Sequence, residues 1–275
     1  MGLTRQQSQK FDLHMHSDRS DGRLPPDELL ARAVEGGLDV ISLTDHDLIG
    51  ALDPGVHEFG SRSIRVLSGA EVSGVHDGRE LHLLVYFPGD PPAGFRDFCE
   101  AQVRARAVRY DTAVQAIGRE GVPVASEEAH RGEMALTRHH LARALVHAGH
   151  AHDVGDAFAR FAGHNNVPRI DTPFVDCIRI ARSFGGITSW AHPPGEAVNR
   201  YLPAFAAAGL HGLEGLRPGT RREDRNRIKK AAKRHGLFLT GGSDWHGWSR
   251  SAPLGLFQIR GVDLAGFIDA LEAAA

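Results

Sequence analysis

The stretch FDLHMHSDRSDGRLPPDELLARAVEGGLDVISLTDHD, residues 11–47, decides the fold. FDLHMH reads as a strand. PPDELLARAVEGG follows as a helix, with proline at its start and glycine at its end. LDVISLTDHD is a second strand, apolar in continuous runs as strands buried on both faces tend to be. Strand, helix, strand is the unit of a sheet with crossover connections. Residues i and i+2 of a strand point to one side. His14 and His16 therefore present two imidazoles to one point in space, while Leu13 and Met15 face away. That geometry chelates only if the rest of the chain supplies further ligands.

Outward from this unit, RVLSGAEVSG and RELHLLVYF read as the third and fourth strands. The strand signal then fades over residues 89–165. There GFRDFCEAQVRARAVRYDTAVQAIGREG, TRHHLARALVHAGH and DVGDAFARFAG are helical by apolar spacing and composition. The earlier rhythm returns with helix FVDCIRIARSFGG, strand ITSWAHP, helix YLPAFAAAG and strand LHGLEGL. The charged helix RREDRNRIKKAAKRHG, the strand and loop LFLTGGSDWHG and the helix DLAGFIDALEAA complete it. The expected organisation is an α/β unit formed by residues 1–88 and 166–275, with a mostly helical insertion at 89–165.

A formal net charge of −2 gives no bulk field favouring nucleic acid or an anionic membrane. No apolar run approaches the roughly 20 residues of a membrane span. MGLTRQQSQK, residues 1–10, lacks the apolar core of a signal peptide. Cys99 and Cys177 form no CxxC pair and no disulfide framework. A reducing, cytoplasmic setting is the expectation.

Seventeen histidines against three tyrosines make histidine the residue to explain. About half, including His57, His130, His147, His150, His152 and His235, are expected at the surface. The others mark strand ends, where functional groups gather in parallel α/β folds: His14 and His16, Asp45 and His46, Glu71, His82, His192, then Asp244 and His246. With Asp21 added, three carboxylates (Asp21, Glu71, Asp244) accompany six imidazoles. One four-coordinate zinc needs three or four such ligands, so nine would serve two or three ions. Glu71 can bridge two of them, and closely spaced ions suit in-line displacement at phosphorus. Nitrogen and oxygen donors without thiolate suit Mn, Zn or Fe.

The motifs HMHSDRSDG, LTDHD, SGAEVS, LHLLVYF, WAHP and GGSDWHG occur in this order across both halves of the chain. As a set they resemble the PHP (polymerase and histidinol phosphatase) phosphoesterases. The HSxxSDG opening and the helical insertion resemble the stand-alone bacterial enzymes that hydrolyse 3',5'-nucleoside bisphosphates, some of which also trim short RNA from the 5' end. The resemblance implies a distorted (β/α)7 barrel with two or three divalent ions in its mouth, Mn first, with Zn, Fe or Mg as alternatives. Carried over by position, His14, His16, Glu71 and Asp244 would hold one ion. Glu71, His82 and His192 would hold a second, and Asp21, His46 and His246 a third. Glu71, Asp244 and His192 are the implied catalytic groups, and Asp45 is expected to orient the ligand that follows it.

The insertion would form a lid. TRHHLARAL matches the segment that carries substrate contacts, so Arg138 and His140 are expected to meet the phosphate or nucleotide, with His139 pointing away. Arg19 and Ser17 in the first loop are further contact candidates. The implied partner is a phosphorylated small molecule, a nucleotide, or a short RNA. No DNA-binding motif is visible, and nothing specifies an oligomeric state. GLEGLRPGT departs from the pattern: Gly215, Leu216 and Arg217 stand where many relatives carry an aromatic residue and often a histidine. Alternative readings are a small-molecule phosphomonoesterase such as histidinol phosphatase, or a non-catalytic metal-binding module of the same family. An amidohydrolase would need a carboxylated lysine on a middle strand, and the lysines lie at Lys10 and in the KKAAK helix.

Overall fold

Short apolar strands and the connections between them build a mixed sheet that closes into an α/β barrel. The computed structural model describes residues 3, 5, 8–124, 134–163, 166–249 and 251–274. In chain order the strands are β1 (Lys10–Asp12), β2 (Val40–Leu43), β3 (Gly55–Phe59), β4 (Arg62–His76), β5 (Arg79–Phe87), β6 (Ile187–Trp190), β7 (Gly212–Leu216), β8 (Phe238–Gly241) and β9 (Ile259–Arg260). The helices are α1 (Pro26–Glu35), α2 (Ala93–Arg119), α3 (Arg138–His147), α4 (Val154–Ala157), α5 (Phe174–Ser183), α6 (Gly195–Ala208), α7 (Arg222–His235) and α8 (Ala265–Ala274). A π-helical turn, Phe158–Ala162, continues α4.

The strands run in the order β8-β7-β6-β5-β4-β2-β1-β9, with β3 paired to β4. The ring closes where the chain beyond β8 meets the chain beyond β1. Trp245 bridges Met15 in parallel, His16 N–H donates to Trp245 O at 2.8 Å, and Asp244 N–H donates to His14 O at 2.8 Å. β9 pairs antiparallel with the start of β1. The ring strands run parallel except β5, which is antiparallel to both neighbours.

That reversal departs from the strand–crossover rhythm read from the sequence. β4 and β5 form a hairpin through the two-residue turn Asp77–Gly78, which leaves no room for a crossover helix. The Asp-Gly pair is a hairpin signal. Short β9 and half-exposed β3 carried too weak an apolar pattern to be read as strands. Lys10 does lie on a strand: it opens β1, at the end away from His14.

The outer faces of the strands pack on helices. Leu29, Leu30, Ala33 and Val34 of α1 meet Ile41, Ile64 and Val66. Phe174 and Ile178 of α5 and Leu202 and Phe205 of α6 meet Val85, Trp190 and Leu213. Inside the ring, Phe11, Val40, Leu67, Leu84, Tyr86 and Ile187 pack with Phe267, Ile268 and Leu271 of α8, which closes the floor. Each fully buried Leu, Ile or Phe here contributes roughly 1.5–3 kcal/mol. The helices between β5 and α5 have a separate apolar cluster that includes Tyr110, Ile117, Leu141, Leu145 and Phe161. Among the described residues no helix is long and apolar enough to cross a membrane.

The seam between β8 and β1 admits no side chain at position 242. A Cβ on Gly242 would lie 2.4 Å from both the N and the Cβ of His14. Gly242→Ala should lower the unfolding free energy by roughly 1–3 kcal/mol, seen as a reduced urea midpoint at unchanged m-value.

Candidate active site

Six of the seven ring strands, all but β7, deliver a metal-type side chain to one place. His14 and His16 lie on the extended chain after β1, His46 after β2, Glu71 within β4 and His82 near the start of β5. His192 follows β6, and Asp244 and His246 follow β8. His82 reaches the mouth from the beginning of its strand because β5 runs the opposite way. Asp21 comes from the loop after His16.

Glu71 sits at the centre. Its Oε1 is 2.9 Å from His192 Nε2, 3.0 Å from His82 Nδ1 and 3.4 Å from His14 Nε2. Its Oε2 is 3.0 Å from His46 Nδ1 and 3.3 Å from His16 Nε2. Asp244 Oδ1 lies 3.4 Å from the Nε2 atoms of both His14 and His16. A second focus forms around Asp21, 3.3 Å from His246 Nε2 and 3.6 Å from His46 Nε2. All nine predicted ligand residues are thus gathered in one cluster. Its potential ligand sets are His16, Asp21, His46 and His246; His14, His16 and Glu71; and His46, Glu71 and His82. His46 therefore reaches both foci. His192 and Asp244 also hold left-handed backbone angles, φ of 31° and 54°, a strained state for non-glycine residues that clusters at functional sites.

The donor chemistry fits divalent ions. His14 Nδ1 donates to Glu214 Oε1 at 2.8 Å, so a neutral His14 turns a lone pair at Nε2 toward the oxygens of Glu71 and Asp244. Lone pair against carboxylate repels unless a cation or a second proton lies between them. Buried Asp21 Oδ1 and His46 Nδ1 have no hydrogen-bond partner. Burial alone would lower His16 and His82, but carboxylates outweigh it: Asp244 and Glu71 lift His16 to about 10, and Glu71 lifts His82 to about 9. Burial would raise the Glu71 carboxyl, yet His82, His14 and His46 hold it well below the usual range. A bound metal displaces such imidazole protons and takes over their compensating charge.

A further layer fixes the ligands. Glu214 of β7, fully buried, bonds His14 with one oxygen and accepts the His192 backbone N–H with the other at 2.7 Å. Sequence reading passed over Glu214, although its place near the end of an inward-facing strand was the available signal. Asp45 does not orient His46. It accepts Ser17 N–H at 2.8 Å, Ser17 Oγ–H at 2.7 Å and Ser20 Oγ–H at 2.5 Å. Ser20 Oγ is in turn 3.4 Å from His16 Nδ1, so Asp45 braces the first loop and, through it, His16. Arg217 Nη2 pairs with Asp244 Oδ2 at 2.7 Å.

Above the cluster opens a cleft of about 720 Å³ whose lining includes Arg23, Arg138, His139, Arg143, Phe158 and Trp248. Arg138 lies over the Phe158 ring at 5.6 Å. Arg106 and Arg109 also reach the cleft, but their guanidiniums pair with Asp47 and with Glu80. Two contact expectations change. His140 Nδ1 accepts the Thr137 backbone N–H at 3.1 Å and closes a capping box at the start of α3, so this buried ring is spent on the helix. Its neighbour His139, expected to point away, lines the cleft instead. Arg19 is exposed and not among the lining residues, and Arg23 takes the place at the rim. Ser17 is buried and holds Asp45. His57, His147, His150, His152 and His235 lie apart from the cluster, and His130 falls outside the described residues.

Comparison with known proteins points to the same chemistry. The PHP domain profile matches residues 12–154. A 5'-3' exoribonuclease from Haemophilus influenzae is 31% identical over 254 residues, 88% of this chain and 92% of that protein. A 3',5'-nucleoside bisphosphate phosphatase from Chromobacterium violaceum is 30% identical over 249 residues, 86% of this chain and 87% of that protein. The crystal structure of a protein from Bifidobacterium adolescentis, assigned as a metal-dependent phosphoesterase, matches with a TM-score of 0.79 at 27% identity, covering 96% of this chain and 97% of that one.

Burial pushes the His140 imidazole down to about 4 against a weaker upward pull from Asp21. An unfolded histidine titrates near 6.5. The stabilisation from this neutral ring is therefore complete above about 6.5 and is lost as pH falls toward 4. His140→Gln keeps a capping-box side chain and removes the titration. Between pH 7 and pH 5 the wild type should lose about 2 kcal/mol more stability than this variant, measured by chemical denaturation at each pH.

Proposed function

This chain belongs to the PHP domain family and is a metal-dependent phosphoesterase; from that premise we propose that it hydrolyses the 3'-phosphate of nucleoside 3',5'-bisphosphates. The observation that carries the reading is Glu71, a buried carboxylate whose two oxygens face five imidazoles from four surrounding segments. Such a group would hold two cations placed side by side. We assign His14, His16, Glu71 and Asp244 to one ion, Glu71, His82 and His192 to a second, and Asp21, His46 and His246 to a third. Manganese is the ion proposed, on the family resemblance; the mixed nitrogen and oxygen donors suit it as they suit Zn or Fe.

When bound, divalent ions supply positive charge for the phosphoryl oxygens and acidify water. The protein's own groups do the rest. Glu214 and Asp45 hold His14 and His16 in their orientations. Arg138, at the first turn of α3, presents a planar guanidinium suited to a phosphate, and the helices between β5 and α5 serve as the roof that carries it. Arg106 and Arg109 are balanced by carboxylates, so they shape the wall rather than grip the substrate. His192, 31% exposed, is the most accessible imidazole of the cluster. Trimming of short 5'-phosphorylated RNA is the second reading. The similarity to an exoribonuclease favours it, as do exposed Arg23 and Arg143, which extend the basic lining toward solvent.

With Mn²⁺ added, phosphate should be released from adenosine 3',5'-bisphosphate in preference to histidinol phosphate, with a 5'-phosphorylated oligoribonucleotide as the third substrate. Turnover of histidinol phosphate alone overturns the nucleotide assignment, and inertness toward all three with metal bound favours a non-catalytic module. Glu71→Gln should abolish turnover and lower Mn²⁺ content. Arg138→Ala should raise KM about 10- to 100-fold, the loss of one charge-assisted hydrogen-bonding partner, while Mn²⁺ content stays at the wild-type value.

A further inference from the structure

The segment Asp244–Trp248 turns back on itself. Gly247 has φ of +77°, a conformation that brings residue 248 back over residue 246 and that a side chain there would strain. A Cβ at that position would also come within 2.8 Å of the Trp245 ring. The returned Trp248 makes three contacts. Its indole Nε1–H donates to the backbone carbonyl of Asp21 at 3.0 Å. Its ring packs on His246 with centroids 4.2 Å apart, tilted by 35°. It also stacks on His139, at the start of α3, with centroids again 4.2 Å apart and planes within 17°. Two imidazoles at that distance cannot share one indole face, so the ring is clamped between them.

Two of these contacts are to residues assigned to one ion. His246 Nδ1 lies 2.8 Å from the carbonyl of Asp244. A carbonyl only accepts, so Nδ1 carries the proton and Nε2 presents its lone pair toward Asp21. That alignment holds only while the imidazole stays in its plane, and the indole face fixes the plane. The indole N–H meanwhile anchors the chain at Asp21. Half of the residue remains exposed, at the lining of the cleft.

We infer that Trp248 is a positioning residue that sets the Asp21–His46–His246 metal position and, through His139, ties that position to helix α3. The inference rests on the metal-centre reading above and deepens it. Arg138, proposed to hold a substrate phosphate, directly precedes His139 in the first turn of α3. Seating of an anion by α3 and the pose of His246 are thereby joined through one aromatic stack, and such coupling acts equally in both directions.

The test is Mn²⁺ binding to chelator-stripped full-length protein, without substrate, by calorimetry and by metal content after gel filtration. Wild type, Trp248→Ala, Trp248→Phe and His139→Ala are compared, each checked for native circular dichroism. Trp248→Ala should weaken one Mn²⁺ of the set by about 10- to 100-fold, the usual effect of removing a group that orients a ligand, and leave the others unchanged. Trp248→Phe keeps the stacking face and should recover most of the affinity. His139→Ala acts on the far face and should cost less than Trp248→Ala while shifting the tryptophan emission. Equal Mn²⁺ affinity and stoichiometry in wild type and Trp248→Ala overturns the inference and leaves the phosphoesterase assignment standing. A wild type that takes up no Mn²⁺ overturns the metal-centre reading, and this inference with it. Should Trp248→Ala fail to fold, His139→Ala decides: unchanged Mn²⁺ binding together with unchanged tryptophan emission in that variant also overturns it.

Discussion

A carboxylate buried among imidazoles is the constraint on which this molecule turns. Glu71 lies at the centre of the barrel mouth with almost no solvent contact, and its neighbours come from segments far apart in the chain. Charged and lone-pair-bearing groups packed at about 3 Å are stable only when protons or cations compensate them. The barrel must hold this arrangement open while the rest of the fold drives toward closure. It does so with a second ring of polar groups beneath the first. Glu214 bonds one ligand and the backbone of another, and Asp45 pins the first loop by three hydrogen bonds. The strand registers matter for the same reason, because a one-residue slip turns a side chain to the opposite face.

Electrostatic balance also sorts the arginines that face the cleft. Arg106 and Arg109 are buried in α2, and each meets a carboxylate, Asp47 and Glu80. Coulombic pull from Asp47 and Glu80 outweighs the effect of burial on Arg106 and keeps it firmly charged. Their charge is consumed in docking the helix on the loop after β2 and on the start of β5. Glu80 also lies 3.7 Å from His82 Nε2, so the helix is linked to the cluster through a ligand candidate. Arg23, Arg138 and Arg143 face the cleft at less buried positions. A basic lining of this kind around a metal centre suits a substrate with more than one phosphate.

Much of this was legible in the sequence, and the reasons for the rest are physical. The nine ligand candidates stood at readable places because strand ends and short metal-type motifs are local signals. Seven of the eight helices lie where apolar spacing and composition placed them, whereas α6 begins at Gly195, six residues before the stretch read as helical. The direction of β5 was missed because apolar alternation carries no polarity, and only the Asp77–Gly78 pair betrayed the hairpin. His140 was taken for a contact on the family resemblance of TRHHLARAL, which says nothing of the capping box it closes. Its true neighbour, Thr137, was in plain sight. Glu214, Glu80 and Arg106 were invisible for a different reason. The partners that mark them as buried lie about 20 to 200 positions away, and no local pattern reports that a charged side chain is buried.

The reversed strand has an architectural consequence. Because β5 starts at the mouth, it ends toward the floor, and the helical segment departs from the wrong end of the barrel to reach the site. α2 makes up the distance: its 27 residues span about 40 Å. Phe95, near its foot, packs on Phe87 at the end of β5, and eleven residues later Arg106 reaches Asp47 and Ser73 beside the imidazole cluster. The depth of the barrel is thus written into the helix as a whole number of turns, about three between those two anchors. A chain with a shallower barrel would need a shorter rod to set its roof at the same height, so insertions or losses here should come in multiples of a turn.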